Sequence, residues 1–556
     1  MKRHHFSISL LALCAFVLPH KTHAQFTGNN QTNTIDGTTV NWPGLYYVGS
    51  NSVSDTLLIL NGGFLSSFGV RIGSSTNANN NLAVVSGSGS VWTNYSGDFD
   101  VGLFGSTNRL EIRNGGQVQV VALNTVVGSQ SSSLYNSVLV TDTGSVWTIQ
   151  QGLFMGDGGA YCSLVVSNGG AIFSGKGLVG GNNGGQTNIA IVTGTGSVWS
   201  NSTTMYVGNY GKGNALVVSN GGAVFNTIGY VGYAARARSN SVLVTGAGSL
   251  WKNSGTLYVG LGTSAPTSLP ADGNSLTIAD AGSVLVTSNA YLGFLDIASN
   301  SLLSVSGGNL TVTNLSGTDT IDVRRGRLAF NGGTITTDRL WLTNGIDSIL
   351  EFNSGTLHTR GTIVSNTQLC VVGDAVASGN LHLAGGVHSF QNGLRIRANS
   401  LLTGCGTVNG SVVIDTGGVV RSDCTNLVFT GDVTNNGVLL ADGAGLECFG
   451  NVINNGTIYL FNGGTTNFHG AFISNGSIVN VGAPTISSIS RLGNDITLKL
   501  TSVPGLTYQL QSTTSLPLPV WSDIGTTQSG TDGVLTFTDF GAATNASFRY
   551  YRVQLQ

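Results

Sequence analysis

Charged side chains are scarce in this sequence: Asp, Glu, Lys and Arg together make up 9% of 556 residues. Such a chain lacks the basic stripe that holds nucleic acid. It also lacks the high net charge and low hydrophobicity that keep a chain unfolded. Proline is rare, 8 residues against 82 glycines, so the turns must be made by Gly, Asn and Ser. Beyond the N-terminus no apolar run reaches the ~20 residues that a bilayer-spanning helix needs. Six cysteines include no C-x-x-C pair. The calcium-binding Gly-Gly-x-Gly-x-Asp repeat, the Gly-x-Ser-x-Gly elbow and the phosphate-binding Gly-x-x-x-x-Gly-Lys-Ser/Thr loop are absent. No metal and no cofactor is expected.

The N-terminus reads as a secretory signal over residues 1–24: Lys2 and Arg3, an apolar stretch from Phe6 to Leu18, and Thr22-His23-Ala24 before Gln25. Its removal leaves 20 basic against 25 acidic side chains, a mildly acidic chain with no transmembrane segment. The address is therefore secreted, extracellular or cell-surface. Only His358, His382, His388 and His469 remain, with no three ligands in zinc spacing. Cys162, Cys370, Cys405, Cys424 and Cys448 are an odd set, so at least one thiol stays unpaired within the chain. Export permits a disulfide, and Cys405 with Cys424 is the first pair to test. Cys448 aligns with Phe429 and Phe468 and reads as a small buried hydrophobe.

What the sequence has is repetition. Gly-Ser-Val-Trp ends at Trp92, Trp147 and Trp199 and Gly-Ser-Leu-Trp at Trp251, spaced 55, 52 and 52 residues apart. Each unit splits into halves of 26: Leu216-Val-Val-Ser-Asn-Gly-Gly222 with Tyr230-Val-Gly232, then Val242-Leu-Val-Thr-Gly-Ala-Gly-Ser-Leu-Trp251 with Tyr258-Val-Gly260. One such half cannot bury its own apolar face and must stack on neighbours. The fold expected is all-β, a parallel β-helix with one coil per half and Leu-x-Val, Val-Trp and Tyr-Val-Gly as its strands. At steps of 26, Trp147, Phe173, Trp199, Phe225 and Trp251 would stack as one aromatic column, with Val146, Ile172, Val198, Val224 and Leu250 as an aliphatic column beside it. Alternation puts neighbours on opposite faces, and parity beside Gly and Ser leaves open whether the rings face core or solvent. If they face solvent they form a platform for sugar rings. The Asn-Gly-Gly corners at Gly63, Gly116, Gly170 and Gly222 call for positive φ or a close backbone approach. Eight extra residues between Leu261 and Asn274, including Pro266 and Pro270, read as a surface loop.

The domains expected are an N-terminal cap over 25–44, the regular β-helix over 45–297, a less regular β-helix with shorter coils over 298–482, and a small C-terminal β-sandwich over 483–556. In the third of these, Asn436, Asn455 and Asn475 recur at steps of 19 and 20 and would stack as a side-chain ladder. The last domain stands where it could cover the open end of the solenoid.

The Gly-Ser-Val-Trp units, with Tyr-Val-Gly and Val-Ser-Asn-Gly-Gly between them, resemble the repeat family of bacterial type V secretion (autotransporter-like) and PEP-CTERM proteins over roughly residues 45–293. The last domain is similar to fibronectin-type-III-like modules. The resemblance implies an exported bacterial envelope protein with a right-handed parallel β-helix and supplies no catalytic residues. The last 72 residues are not expected to form a membrane β-barrel, and Arg552-Val-Gln-Leu-Gln556 does not read as a PEP-CTERM signal.

The densest charge run is Asp319, Asp322, Arg324, Arg325 and Arg327, followed by Asp338, Arg339 and Glu351. A solvated outer face explains it. The enzymatic alternative, a polysaccharide lyase or glycoside hydrolase, would use Asp322 and Arg324, which alternate onto one face of a strand and could hold a uronate. The function expected is a non-enzymatic exported envelope or surface protein, structural or adhesin-like, whose partners are polysaccharide or cell-surface components met along the solenoid.

Overall fold

The computed structural model describes residues 26–121, 123–182, 184–262, 271–294, 299–481, 484–516, 520–531, 533–545 and 548–555. Residues 1–24, read from the sequence as a signal, and Pro266 and Pro270 of the insertion lie outside them. From Thr32 to Val481 the chain is a parallel β-solenoid in which each strand pairs with its equivalent one coil away. A coil has three strands, for example Ala215–Ser219, Ala223–Asn226 and Ile228–Val231. Alternation turns every second residue inward, so Leu164, Ala190, Leu216, Val242 and Leu276 stack as one buried column on the first face.

Two corner devices explain the sequence period. Between the first and second strands, Asn-Gly-Gly corners alternate with Gly-x-Gly-Ser corners, the one at Ser145 having Asp142 in place of the first Gly. The serine hydroxyl accepts the N–H of the first Gly one coil before: Gly62 to Ser90 at 3.1 Å, and Gly115 to Ser145, Gly169 to Ser197 and Gly221 to Ser249 at 3.0 Å each. Each half-repeat thus needs the other. The second Gly is there for closeness: a Cβ on Gly222 would stand 2.4 Å from the Val192 carbonyl oxygen. At the corner after the third strand, the Gly of Tyr-Val-Gly takes positive φ (Gly208, 78°) and lies against an asparagine of the next coil.

That asparagine belongs to a buried ladder. The Asn214 Oδ1 accepts the backbone N–H of Asn188 at 2.9 Å and its Nδ2–H at 3.0 Å. Asn240 does the same for Asn214, and Asn274 for Asn240. The step from Asn240 to Asn274 spans the insertion, so the extra residues leave the stacking register untouched. Cys162 holds the rung between Asn136 and Asn188, and its N–H donates to Asn188 Oδ1 at 2.9 Å.

The structure corrects the expected columns. Trp147 and Trp199 both pair with Ile172, and Trp199 and Trp251 with Val224, all facing inward. Phe173 and Phe225 stand in the outward column with Thr148, Ser200 and Lys252. Val146, Val198 and Leu250 pair with Ala171 and Ala223 at the strand starts and are not the core column. The cause is the corner: from strand end to strand start, Ser167 to Ala171 is one residue shorter than Thr193 to Val198. One residue reverses the face of everything that follows.

The buried indoles need acceptors. Trp92 and Trp199 donate to Ser67 and Ser174 at 3.2 Å, and Trp251 to Asn226 at 2.8 Å. Trp147 Nε1 is buried without a partner, because Val120 stands at the equivalent position. Burying a hydroxyl in place of a methyl ordinarily destabilises. Here Val120→Thr should instead be neutral or raise stability, by up to about 1.5 kcal/mol, while Val118→Thr lowers it; denaturant midpoints of the two variants check this.

Beyond Ser301 the coils shorten, and Val438 pairs with Thr457, Thr457 with Ser477. Two amide ladders run along this part. Asn475 donates to Asn455 and Asn455 to Asn436, each at 2.9 Å on the surface, and Asn435 donates to Asn454 at 2.8 Å inside. Cys405 and Cys424 form a disulfide, while Cys162, Cys370 and Cys448 are free and buried. Cys448 lies between Phe429 and Phe468. His388 is fully buried, its Nε2–H donating to the Gly385 carbonyl at 2.9 Å and its Nδ1 accepting from Thr362 at 3.1 Å. Burial holds this imidazole below its ordinary pKa, against the Gly385 carbonyl, which favours the charged ring. The unfolded chain therefore binds the proton more readily, and stability should fall as pH drops below about 6.5. Urea titrations at pH 7 and pH 5, with His388→Gln flattening the difference, measure it.

The C-terminal residues form two three-stranded antiparallel sheets, Ile486–Leu492 with Asp495–Thr501 and Val534–Asp539, and Ser522–Ser529 with Thr507–Thr513 and Tyr550–Leu555. They do not cover the end of the solenoid. Leu498, Leu506 and Tyr508 pack against Val419, Leu440 and Phe461 on its flank, and Arg421 donates to the Gly505 carbonyl at 3.1 Å. Val419, then Val438 with Leu440, then Tyr459 with Phe461 come from three successive coils and give the sheets an apolar surface at that flank.

Candidate binding surface

The third strand of each coil ends in Tyr-Val-Gly or a close variant. Alternation puts its valine in the core and its tyrosine outside. Tyr206, Tyr230, Tyr258 and Tyr291 are therefore in register and stack face to face, with centroids 4.8, 5.2 and 5.2 Å apart. Residues just past the corner glycines fold back against them edge-on: Tyr233 at 5.2 and 4.9 Å from Tyr206 and Tyr230, and Phe294 at 5.5 and 4.8 Å from Tyr258 and Tyr291. Burial raises the phenol pKa of Tyr206, Tyr230 and Tyr258, that of Tyr230 to about 12. The hydroxyls stay neutral across the physiological range, able both to donate and to accept.

The strip continues into the residues singled out for charge. Tyr291 pairs with Asp322, and Asp322 with Trp341, in the same outward column. Arg324 binds Asp322 Oδ2 through Nε at 2.8 Å and lays its guanidinium 4.3 Å from the Phe294 centroid and 5.4 Å from that of Tyr291. Asp322 and Arg324 do share a face, and they hold each other. The solvated reading of the charge run fits Arg327 and Glu351, an exposed pair at 3.1 Å. It fails for Asp319, Asp322 and Asp338, all buried. Asp338 is satisfied from other segments, its Oδ2 accepting the N–H of Asn314 at 3.0 Å and of Asp319 at 3.2 Å. Burial first, then the neighbouring Asp338, pushes the Asp319 carboxyl up.

Asp338 lines a separate groove of ≈ 530 Å³ with Asn314, Thr336, His358, Arg360 and His382. His358 and His382 meet edge to face at 5.0 Å, and burial, then the proximity of His382, lowers the His358 pKa. Among the described residues no group of three or more His, Cys, Asp or Glu side chains is placed to hold a metal. No helix among them is long and apolar enough to cross a membrane.

Of the rings marked by the 26-residue step, Trp147, Trp199 and Trp251 are fully buried, Phe173 is exposed and Phe225 half-buried. The two outward phenylalanines are two coils apart, about 9–10 Å, and make no platform together. The outward aromatic column exists, and it is the tyrosine one. Its signal was the recurrence of Tyr-Val-Gly itself, with a further aromatic residue just after the glycine at Tyr233 and Phe294.

No protein-family model matches the chain, and no curated protein matches it. Among solved structures it is similar to that titled "Crystal structure of TibC-catalyzed hyper-glycosylated TibA55-350 fragment", with 12% sequence identity and a TM-score of 0.26, over 81% of this chain and 99% of that chain.

Proposed function

We propose that the protein is an exported, non-enzymatic rod of the cell envelope or surface, structural or adhesin-like, whose aromatic strip contacts polysaccharide or other surface polymers. The observation that carries this reading is the strip: six rings and a guanidinium in one unbroken run on a rigid, regularly spaced face. The tyrosine faces are occupied by one another, so a ligand meets ring edges and neutral hydroxyls repeating at about the ~4.8 Å coil spacing. Such a row suits a polymer with its own repeat of hydroxyls. The stacked rings have little rotamer freedom left to lose on binding, which limits the entropic cost of contact. Export rests on the signal-like N-terminus and on the resemblance of the repeats.

The test is a glycan panel read for binding. Tyr230→Ala and Arg324→Ala should each lower affinity at least about tenfold, the size expected when a central aromatic or Arg contact is lost. Binding unchanged in both variants, or none across the panel, rejects this reading. The second reading, a lyase or hydrolase, is favoured by one feature, the groove holding Asp338, Arg360 and the two histidines; Asp322 and Arg324, bound to each other, serve it less well. The same panel read for cleavage decides it, since release of no product from acidic or neutral polysaccharides removes the enzyme.

A further inference from the structure

The two ends of the solenoid are finished differently. At the first coil, Phe26 is buried against the core and the segment behind it is tied down. Asn30 N–H donates to the Val53 carbonyl at 2.9 Å, Val53 N–H to Asn29 Oδ1 at 3.0 Å, and Gln31 N–H to Asp55 Oδ1 at 2.9 Å. The inward residues Ile35, Tyr46 and Val48 are buried although among the described residues no coil precedes them.

The last coil, Thr465–Phe468, Phe472–Ser474 and Ser477–Val481, has no such cover. Among the described residues its strands pair only with the coil before. Phe468 and Phe472, stacked on each other at 4.3 Å, are only partly buried at the mouth of the core. Ile478 pairs with the buried Ile458 yet is 49% exposed, and Phe472 pairs with the buried Val452 yet is only half-buried. The C-terminal sheets lie on the flank and leave this end open. Exposed sheet edges are normally blunted by charge, by proline or by a cover. From Thr465 to Val481 there is no Asp, Glu, Lys, Arg or Pro.

We infer that this end is an interface with the same end of a second copy, two rods joined tail to tail. A partner has to cover three strand edges and an open apolar core together, and a coil of equal perimeter does so. The last coils step by 20 residues, as Gly445 to Thr465, Val452 to Phe472 and Thr457 to Ser477 show. The first steps by 24 or 25, from Thr32 to Thr56 and from Thr39 to Phe64, and is already plugged by Phe26. Head-to-tail stacking is therefore mismatched in perimeter and blocked. A two-fold axis makes the meeting strands antiparallel, lets the longest of them, Ser477–Val481, face its own copy, and closes the assembly instead of propagating it. The last coil carries no Asp, Glu, Lys or Arg, and its one titratable side chain, His469, is held by Glu447 at 3.1 Å, so self-contact brings little like-charge repulsion.

Sedimentation of the signal-free chain over a concentration series, with negative-stain imaging, tests this. The expected result is a dimer about twice the length of one rod, with the C-terminal sheets flanking its middle. Ile478→Lys and Asn480→Lys, at inward positions of the last coil, should each weaken association on the order of 100-fold, as for loss of a central interface contact, with the circular dichroism spectrum and monomer melting temperature retained. Leu315→Lys, at a fully exposed site elsewhere, should leave the dimer intact. A monomer at every concentration, a side-by-side dimer, a filament, or a dimer that survives both lysine variants overturns the inference.

Discussion

Asn214→Ala should destabilise the protein by about 3–5 kcal/mol, more than most surface substitutions by an order of magnitude. Three buried groups lose their partner together. The Asn188 backbone N–H and Nδ2–H both donate to Asn214 Oδ1, and the Gly185 carbonyl accepts from Asn214 Nδ2 at 3.0 Å. Each unsatisfied buried group costs about 1–3 kcal/mol, and water cannot enter readily because Asn188, Asn214 and Asn240 are all essentially inaccessible. Asn214→Asp should be no milder, since it keeps the acceptor but loses both Nδ2–H donors and places a charge where nothing compensates it. The reverse experiment is available at Cys162, where Cys162→Asn would restore the missing rung and raise stability by about 0.5–1.5 kcal/mol. Guanidinium titration gives both numbers, and hydrogen exchange at the Asn188 amide places them. A loss below about 1 kcal/mol at Asn214 would mean that the ladder is incidental to the stacking.

The repeat made the coil legible but not its parity. A period of 26 fixes how many residues return to the same place, and Leu-x-Val, Val-Trp and Tyr-Val-Gly are indeed the three strands. Halving 52 evenly hid the fact that the two corners differ by one residue, and this decides whether Trp199 and Phe173 share a face. The difference was written in the residues, Asn-Gly-Gly against Gly-Thr-Gly-Ser, yet a turn's residue count converts to parity only once the pairing partner is known. Asp338 illustrates a second limit. Its burial depends on N–H groups of Asn314 and Asp319, and no local pattern reveals which backbone donors another coil will bring. The ladder asparagines lay between these cases. Asn188, Asn214 and Asn240 keep the 26-residue step and sit directly before each Leu-x-Val strand, but a polar residue beside a turn reads as turn chemistry until its burial is seen. The open last coil was equally hidden, because the sheets that follow it in sequence could have folded over the end and instead chose the apolar flank.

Trp199→Ala carries the other large expected effect, again about 3–5 kcal/mol. The indole is fully buried between Ile172 and Val224, and its edge fills the space left by a glycine: a Cβ on Gly177 would stand 2.8 Å from Trp199 Cζ2. Truncation leaves a void that the stiff ladders on either side cannot collapse into, and it leaves the Ser174 hydroxyl without the Nε1–H. Phe173→Ala one coil earlier in the chain should cost under about 1 kcal/mol, because that ring is outward and exposed. In a solenoid each coil is stabilised by its nearest neighbours, so the damage should be local. Amide exchange should quicken in the coils from Ser163 to Val231 while the disulfide-bearing coils near Cys405 keep their protection. The two rings stand one 26-residue step apart and face opposite ways, so markedly unequal losses are the mark of that difference in parity. Equal losses at Trp199 and Phe173 would contradict the inward tryptophan column, and a loss spread evenly along the rod would show that the coils unfold as one unit.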